Sequence, residues 1–168
     1  MRVMGLDIGS VRIGVALSDE TGFLASPYSV IQRRSTKEAL RAIVSTVVET
    51  EAGLVVVGLP VSLDGQLHAQ ALSVQSFAEK LRLRLGVPLV YADETLSTVR
   101  AEELLRDQGV SPSRRRERID SAAAAVILQD YLDQQRRVTV DPTDPSDPSD
   151  PGAGSMPNPS LREEDVTE

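Results

Sequence analysis

The sequence predicts an α/β fold, a mixed sheet with helices on its faces, and three observations carry that expectation. Three stretches of strand character follow one another by Gln32, with no helical period between them. After them, segments of helical period alternate with short apolar runs, the pattern of strands joined by helices. One of those runs, Leu54-Val55-Val56-Val57, is continuously apolar, as suits a strand covered on both faces in a parallel sheet.

The first strand is read up to Asp7, with Gly9 breaking it and Ile13 to Leu17 following as the second. Asp19-Glu20-Thr21-Gly22 is a turn cluster, and Phe23 to Gln32 is the third strand. Pro27 in its middle predicts an edge position or a bulge, because proline brings no N–H to a ladder. Ser35-Thr36-Lys37-Glu38 is a capping-box-like start, after which Ala39, Leu40, Ile43, Val44, Val47 and Val48 recur at helical spacing up to Gly53.

Beyond the 54–57 strand, Gly58-Leu59-Pro60 is a stop and Val61 to Gln66 a loop. The second helix carries Leu67, Ala71, Val74, Ala78, Leu81 and Leu85 on one face and ends at Gly86. Val87 to Ala92 is a strand interrupted early by Pro88, and a helix is expected from about Thr98 to Asp107. Ser111 to Arg116 reads as a basic loop. The last helix is placed from about Glu117 to Arg136, with Ile119, Ala122, Ala123, Val126 and Ile127 on its apolar face.

At 168 residues the chain is expected to form one domain, over residues 1–137, followed by a tail. Residues 138–168 contain Asp-Pro-Thr-Asp-Pro-Ser-Asp-Pro-Ser-Asp-Pro, where proline at every third position opposes helix and sheet and aspartates repel one another. That segment is predicted to be disordered. The formal charge of −7 belongs to it: eight acidic residues beyond 137 face Arg162 alone, and the body is neutral. A neutral body binds a polyanion only where its arginines cluster. The sequence has no cysteine, which rules out disulfides, thiol nucleophiles and zinc-thiolate sites. With no run of 18 apolar residues and no secretory leader pattern, a cytoplasmic location without membrane partners is expected.

The chemistry-bearing residues are carboxylates. Asp7 ends a strand, Glu94 follows a later one with Asp93 beside it, and Asp120 falls in the expected first turn of the last helix. Each has a plain structural reading: an Asp satisfied by turn amides, a loop or cap Glu, a helix-start Asp. Taken together they have another. Strand ends of an open α/β sheet and a helix start are where ligands collect, and three carboxylates meeting there would repel unless divalent cations lay between them. Hard oxygen ligands select Mg²⁺ or Mn²⁺, and two such ions about 4 Å apart suit phosphodiester hydrolysis.

Asp7-Ile8-Gly9-Ser10-Val11-Arg12-Ile13-Gly14, Gly58-Leu59-Pro60 with Asp64-Gly65, Asp93-Glu94 with Leu96-Ser97-Thr98, and Arg118-Ile119-Asp120-Ser121-Ala122-Ala123 occur in this order. Over about residues 1–135 they resemble the YqgF/RuvX family, described as Holliday-junction resolvases and as nucleases maturing the end of pre-16S ribosomal RNA. The resemblance implies an RNase H-like fold, a mixed five-stranded sheet whose first three strands are antiparallel, flanked by helices. It also implies metal-dependent phosphodiester hydrolysis by Asp7, Glu94 and Asp120, with Mg²⁺ or Mn²⁺ and two ions expected. The chain departs from the family at Thr95, where arginine is frequent, which leaves the carboxylate set intact.

Nucleic acid, as an rRNA precursor or branched DNA, is the partner so implied. Candidate contacts are Arg12, Ser97, Arg100, Arg114, Arg115, Arg116 and Arg118. For Arg12 a salt bridge to a nearby carboxylate is an equal alternative, and for Arg114 to Arg116 a solvated loop. His68, the single histidine, is read as a surface residue. Two other classes compete with the nuclease. One is a nucleic-acid-binding or transcription-associated module of the same fold without turnover. The other is a sugar-kinase-like ATPase, which needs a second domain that about 137 ordered residues do not supply. A homodimer is possible through the edge carrying Pro27 or through the last helix.

Overall fold

A computed structural model describes residues 1–60, 69–93 and 112–139. Within them lie β1 (Arg2–Ile8), β2 (Arg12–Ser18), β3 (Ala25–Gln32), α1 (Thr36–Thr50), β4 (Ala52–Leu59), α2 (Ala69–Arg82), β5 (Leu89–Asp93) and α3 (Pro112–Thr139). The strands form a single five-stranded sheet in the order β3-β2-β1-β4-β5. β1, β2 and β3 pair antiparallel, while β4 runs parallel to both β1 and β5. The expected mixed sheet, with its first three strands antiparallel, is therefore the observed one.

Pro27 lies on the outer strand β3, and the ladder shifts there from Val15 opposite Ser29 to Ala16 opposite Pro27, leaving Tyr28 as the extra residue. Edge and bulge are both present, as the missing N–H requires. Ser35 caps α1 by accepting from the Glu38 N–H at 3.2 Å. The other end of α1 differs from expectation. Glu51, not Gly53, closes the helix in a left-handed conformation at φ 54°, and Gly53 already belongs to β4. β5 starts just after Pro88, whose carbonyl accepts from the Val55 N–H at 3.0 Å.

Alternation along the strands divides the core in two. Met4, Leu6, Ile8, Ile13, Val15, Val55 and Val57 pack on one face with buried residues of α1 and α2, among them Leu40, Ile43, Val74 and Leu81. Phe77 joins them, an α2 residue outside the expected stripe. On the other face Val3, Ala16 and Val56 meet Ala124, Ala125, Leu128 and Leu132 of α3. The 54–57 run is covered on both sides, as its continuous apolarity required.

α3 departs most from the sequence reading. It begins at Pro112, so residues 112–116 are helical instead of a loop, and it continues to Thr139, past the expected helix end at about Arg136. Of the expected face Ala123 and Ile127 are buried, whereas Ala122 and Val126 are only partly so, and the seam against the sheet is Ala124, Ala125, Leu128 and Leu132. The expected helix at 98–107, the loop at 61–66 and the tail beyond 139 lie outside the described residues.

What brings α3 onto the sheet is the absence of side chains beneath it. A Cβ on Gly5 would stand 2.7 Å from the Leu128 Cβ and 3.0 Å from the Ala124 carbonyl oxygen. One on Gly14 would collide with the Asp120 carbonyl oxygen itself. Both obstacles are fixed atoms of the helix, so neither position admits a larger residue without lifting α3. Replacing Gly14 by Ala is expected to destabilise the protein by about 3 kcal/mol and Gly5→Ala by about 2 kcal/mol. Urea unfolding of the two variants checks the magnitude and the order.

Candidate active site

Alternation along β1 and β2 puts two side chains, those of Asp7 and Arg12, on the α3 face. Asp7 follows Gly5 by two on β1, and Arg12 precedes Gly14 by two on β2. Asp7 is the direct cross-strand partner of Gly14. Since the α3 backbone at Asp120 rests on Gly14, Asp120 is delivered to the level of Asp7. Strand and helix stay in step: two strand residues advance about 6.6 Å, and four helix residues about 6 Å. Gly5 therefore lies under Ala124 when Gly14 lies under Asp120.

Asp7 is part of β1 and not of the turn after it, where the Gly9 N–H is taken by the Arg12 carbonyl at 2.9 Å. Among the described residues no donor meets the Asp7 carboxylate, which removes the turn-amide reading. Its pKa is pushed up from 3.8 to about 6, first by burial and then by the negative charge of Asp120. Asp120 has a counter-charge of its own. Arg12 donates through Nε to Asp120 Oδ2 at 2.5 Å, with the two side chains 29% and 26% exposed. Of the two roles open to Arg12, this structure displays the salt bridge.

Asp120 lies eight residues beyond Pro112, so it is not in the first turn of the helix and the dipole does not account for it. Its place follows from the four-residue spacing to Ala124 and Leu128, which are buried against the sheet. Among the described residues no three acidic, histidine or cysteine side chains gather. Of the three expected carboxylates, Asp7 and Asp120 meet, while Glu94 lies outside the described residues, as do Ser97 and Arg100. Arg114, Arg115, Arg116 and Arg118 are on the N-terminal part of α3, whose side chains there are likewise outside the description.

Two contributors escaped the sequence reading. Gly14 is the seat of the helix, and Arg33 braces the turn beside the site. The Arg33 guanidinium donates to the Gly9 carbonyl at 3.0 Å and stacks 4.7 Å from the centre of the Phe77 ring, while its backbone N–H donates to the Val11 carbonyl at 2.8 Å. A signal for Gly14 was available: Gly5, Gly14 and Ala16 are small at alternate strand positions, and Ala122 to Ala125 are small on the helix. Arg33 carried none, because its contacts come from three separate segments.

A family model described as RuvX, Holliday junction resolvase, matches residues 1–134. The chain belongs to the RuvX family. A relative of this RuvX member from Roseiflexus sp., named as a candidate pre-16S rRNA nuclease, is 45% identical over 80% of this chain and 96% of its own length. One from Anaeromyxobacter sp., with the same name, is 47% identical over 79% of this chain and 97% of its own. Among solved structures, T. thermophilus RuvC in complex with a Holliday junction superposes with a TM-score of 0.53 at 15% identity, covering 81% of this chain and 96% of RuvC. At that identity the likeness speaks for the fold, the RNase H-like one of the resolvases.

The raised pKa of Asp7 has a thermodynamic consequence in the metal-free RuvX chain. A carboxyl whose folded pKa exceeds its unfolded value holds its proton better when folded, so stability is lost as pH rises from about 4 to about 6. Asn in place of Asp7 avoids that loss. In the absence of divalent cations, Asp7→Asn is expected to raise the melting temperature at pH 7.5 by about 5 °C, with the gain vanishing near pH 4. Thermal melts of both proteins in EDTA between about pH 4 and 8 test the sign.

Proposed function

We propose that this chain is a metal-dependent nuclease that hydrolyses phosphodiester bonds in the 5′-end maturation of pre-16S rRNA. The observation that carries the reading is the meeting of Asp7 and Asp120 where α3 rests on Gly14, with Asp7 lacking any compensating donor among the described residues. The relatives' names supply the substrate, and the family's description adds a second one, the Holliday junction. Branched DNA is thus the specific alternative to precursor rRNA.

The donors fit a hard divalent cation. Both carboxylates offer oxygen, and a buried carboxylate raised by its neighbour is stabilised as soon as positive charge comes between them. Asp7 and Asp120 would hold Mg²⁺ or Mn²⁺, with Glu94 as the third ligand that the family resemblance supplies. Held by those carboxylates, such ions would supply Lewis acidity for activating a water and for stabilising the leaving oxygen of the phosphodiester.

The protein's own part is positional and electrostatic. β1 fixes Asp7 in a paired strand, and helix-on-glycine packing fixes Asp120 against it, so neither carboxylate has to be ordered when substrate arrives. Arg33 holds the turn between Asp7 and Arg12 from the α2 side. Arg12 stands at the same strand end, where a phosphate of the bound strand would pass. A protonated Asp7 is a poor ligand, so metal affinity is expected to weaken as pH falls below about 6.

Purified protein is to be incubated with a pre-16S rRNA 5′ fragment and with a four-way DNA junction, in Mg²⁺ and in Mn²⁺. Cleavage of the RNA is expected, with Asp7→Asn and Asp120→Asn each lowering the rate by at least about 10³-fold and chelation abolishing it. Cleavage of the junction alone would transfer the assignment to branched DNA. Equal binding of the RNA by wild type and both variants, without cleavage in any metal, would identify a non-catalytic binding module instead.

A further inference from the structure

Arg12 serves one carboxylate and not the other. It donates to Asp120 from a partly buried position, and among the described residues it makes no ion pair with Asp7. The cluster thus holds two carboxylates and one guanidinium on the same face of a hairpin, where strand alternation and the Gly14 contact confine them. The contact to Asp120 runs through Nε, and among the described residues the Nη groups of Arg12 meet no acceptor. An arginine so placed has the fork that phosphate oxygens accept.

A divalent cation drawn to Asp7 and Asp120 would compete with Arg12 for Asp120, because two positive groups sharing one carboxylate repel each other. The guanidinium has a short route out. Its pair is about a quarter exposed on each side, so the solvent-facing part of the side chain can swing without opening the core.

From these contacts we infer that Arg12 is an exchangeable counter-ion, neutralising Asp120 while no divalent cation is bound and turning to a phosphate oxygen of the nucleic acid once a cation takes Asp120. The inference rests on the reading of Asp7 and Asp120 as metal ligands and deepens it: metal binding and substrate binding become coupled through one side chain. Before metal arrives, the ion pair keeps Asp120 in place and its charge compensated. After metal arrives, the released guanidinium adds a phosphate contact that the metal-free protein lacks. By linkage, nucleic acid that engages Arg12 tightens metal binding by the same factor.

The test uses the full chain and needs no turnover. Mn²⁺ binding without nucleic acid is measured by calorimetry for wild type and Arg12→Gln. Removing the competing cation is expected to tighten Mn²⁺ binding by about tenfold. Affinity for the rRNA fragment is then measured against salt, in Ca²⁺ and in EDTA. Arg12→Gln is expected to reduce the salt slope by about one in Ca²⁺ and to leave it unchanged in EDTA.

Mn²⁺ affinity that is unchanged or weaker in Arg12→Gln overturns the exchange, while Mn²⁺ binding by wild type leaves the nuclease reading standing. No Mn²⁺ binding by wild type overturns both. Should Arg12→Gln fail to fold, the wild-type protein decides: the Arg12 Nε–H resonance is expected to shift when Mg²⁺ is added. A resonance that stays in place under saturating Mg²⁺ overturns the proposal.

Discussion

Everything at the site depends on a backbone-to-backbone approach: α3 lies on β1 and β2 where Gly5 and Gly14 leave no side chain in the way. Packing of this kind tolerates little variation, because the atoms that meet are a Cβ and carbonyl oxygens that cannot rotate aside. It converts a weakly specified event, a helix settling on a sheet, into a strongly specified one. The helix can neither slide nor roll without driving the Asp120 carbonyl or Leu128 into the strands. The same contact therefore fixes the core face and the relative position of two carboxylates.

A second set of contacts fastens the far part of α3. Gln129 accepts from the Ala25 N–H at 2.9 Å and donates to the Phe23 carbonyl at 3.2 Å. Arg136 donates to the same carbonyl at 3.0 Å and lies 4.1 Å from the centre of the Phe23 ring. The turn that receives them is itself set by Asp19, whose carboxylate accepts from the Phe23 and Leu24 N–H groups and from Thr21. The strand glycines hold α3 from Asp120 to Leu128 and this turn holds it from Gln129 to Arg136, so the helix is located along two consecutive stretches of its length.

Much of this was legible in the sequence, for physical reasons that differ by element. The strands were readable because alternation and continuous apolarity report burial directly, and Pro27 reported its edge position through a missing donor. The capping of α1 was readable because Ser35 acts on residues three positions away. Its end was not, because Gly53 is the customary stop and Glu51 took the left-handed position instead. The face of α3 was only partly legible: Ala123 and Ile127 are buried as expected, but alanines from 122 to 125 look alike on every side of a helix, and only the strand glycines reveal that Ala124 and Leu128 approach closest. Asp120 was expected in the first turn of the last helix, and it lies two turns further in, where its backbone rests on Gly14. The Arg12 ion pair joins residues 108 positions apart, and no local pattern selects it over a phosphate contact.

The length of α3 also sets how far apart its contacts lie in electrostatic terms. Asp120 and Thr139 are on one continuous helix, nineteen residues apart, which spans about 28 Å. At physiological ionic strength the Debye length is about 8 Å, so Thr139 is more than three screening lengths from Asp120. A charge at the Thr139 end of the helix contributes almost nothing to the potential that a cation or a phosphate meets beside Asp7. Electrostatically, the helix works as a spacer between its own two ends.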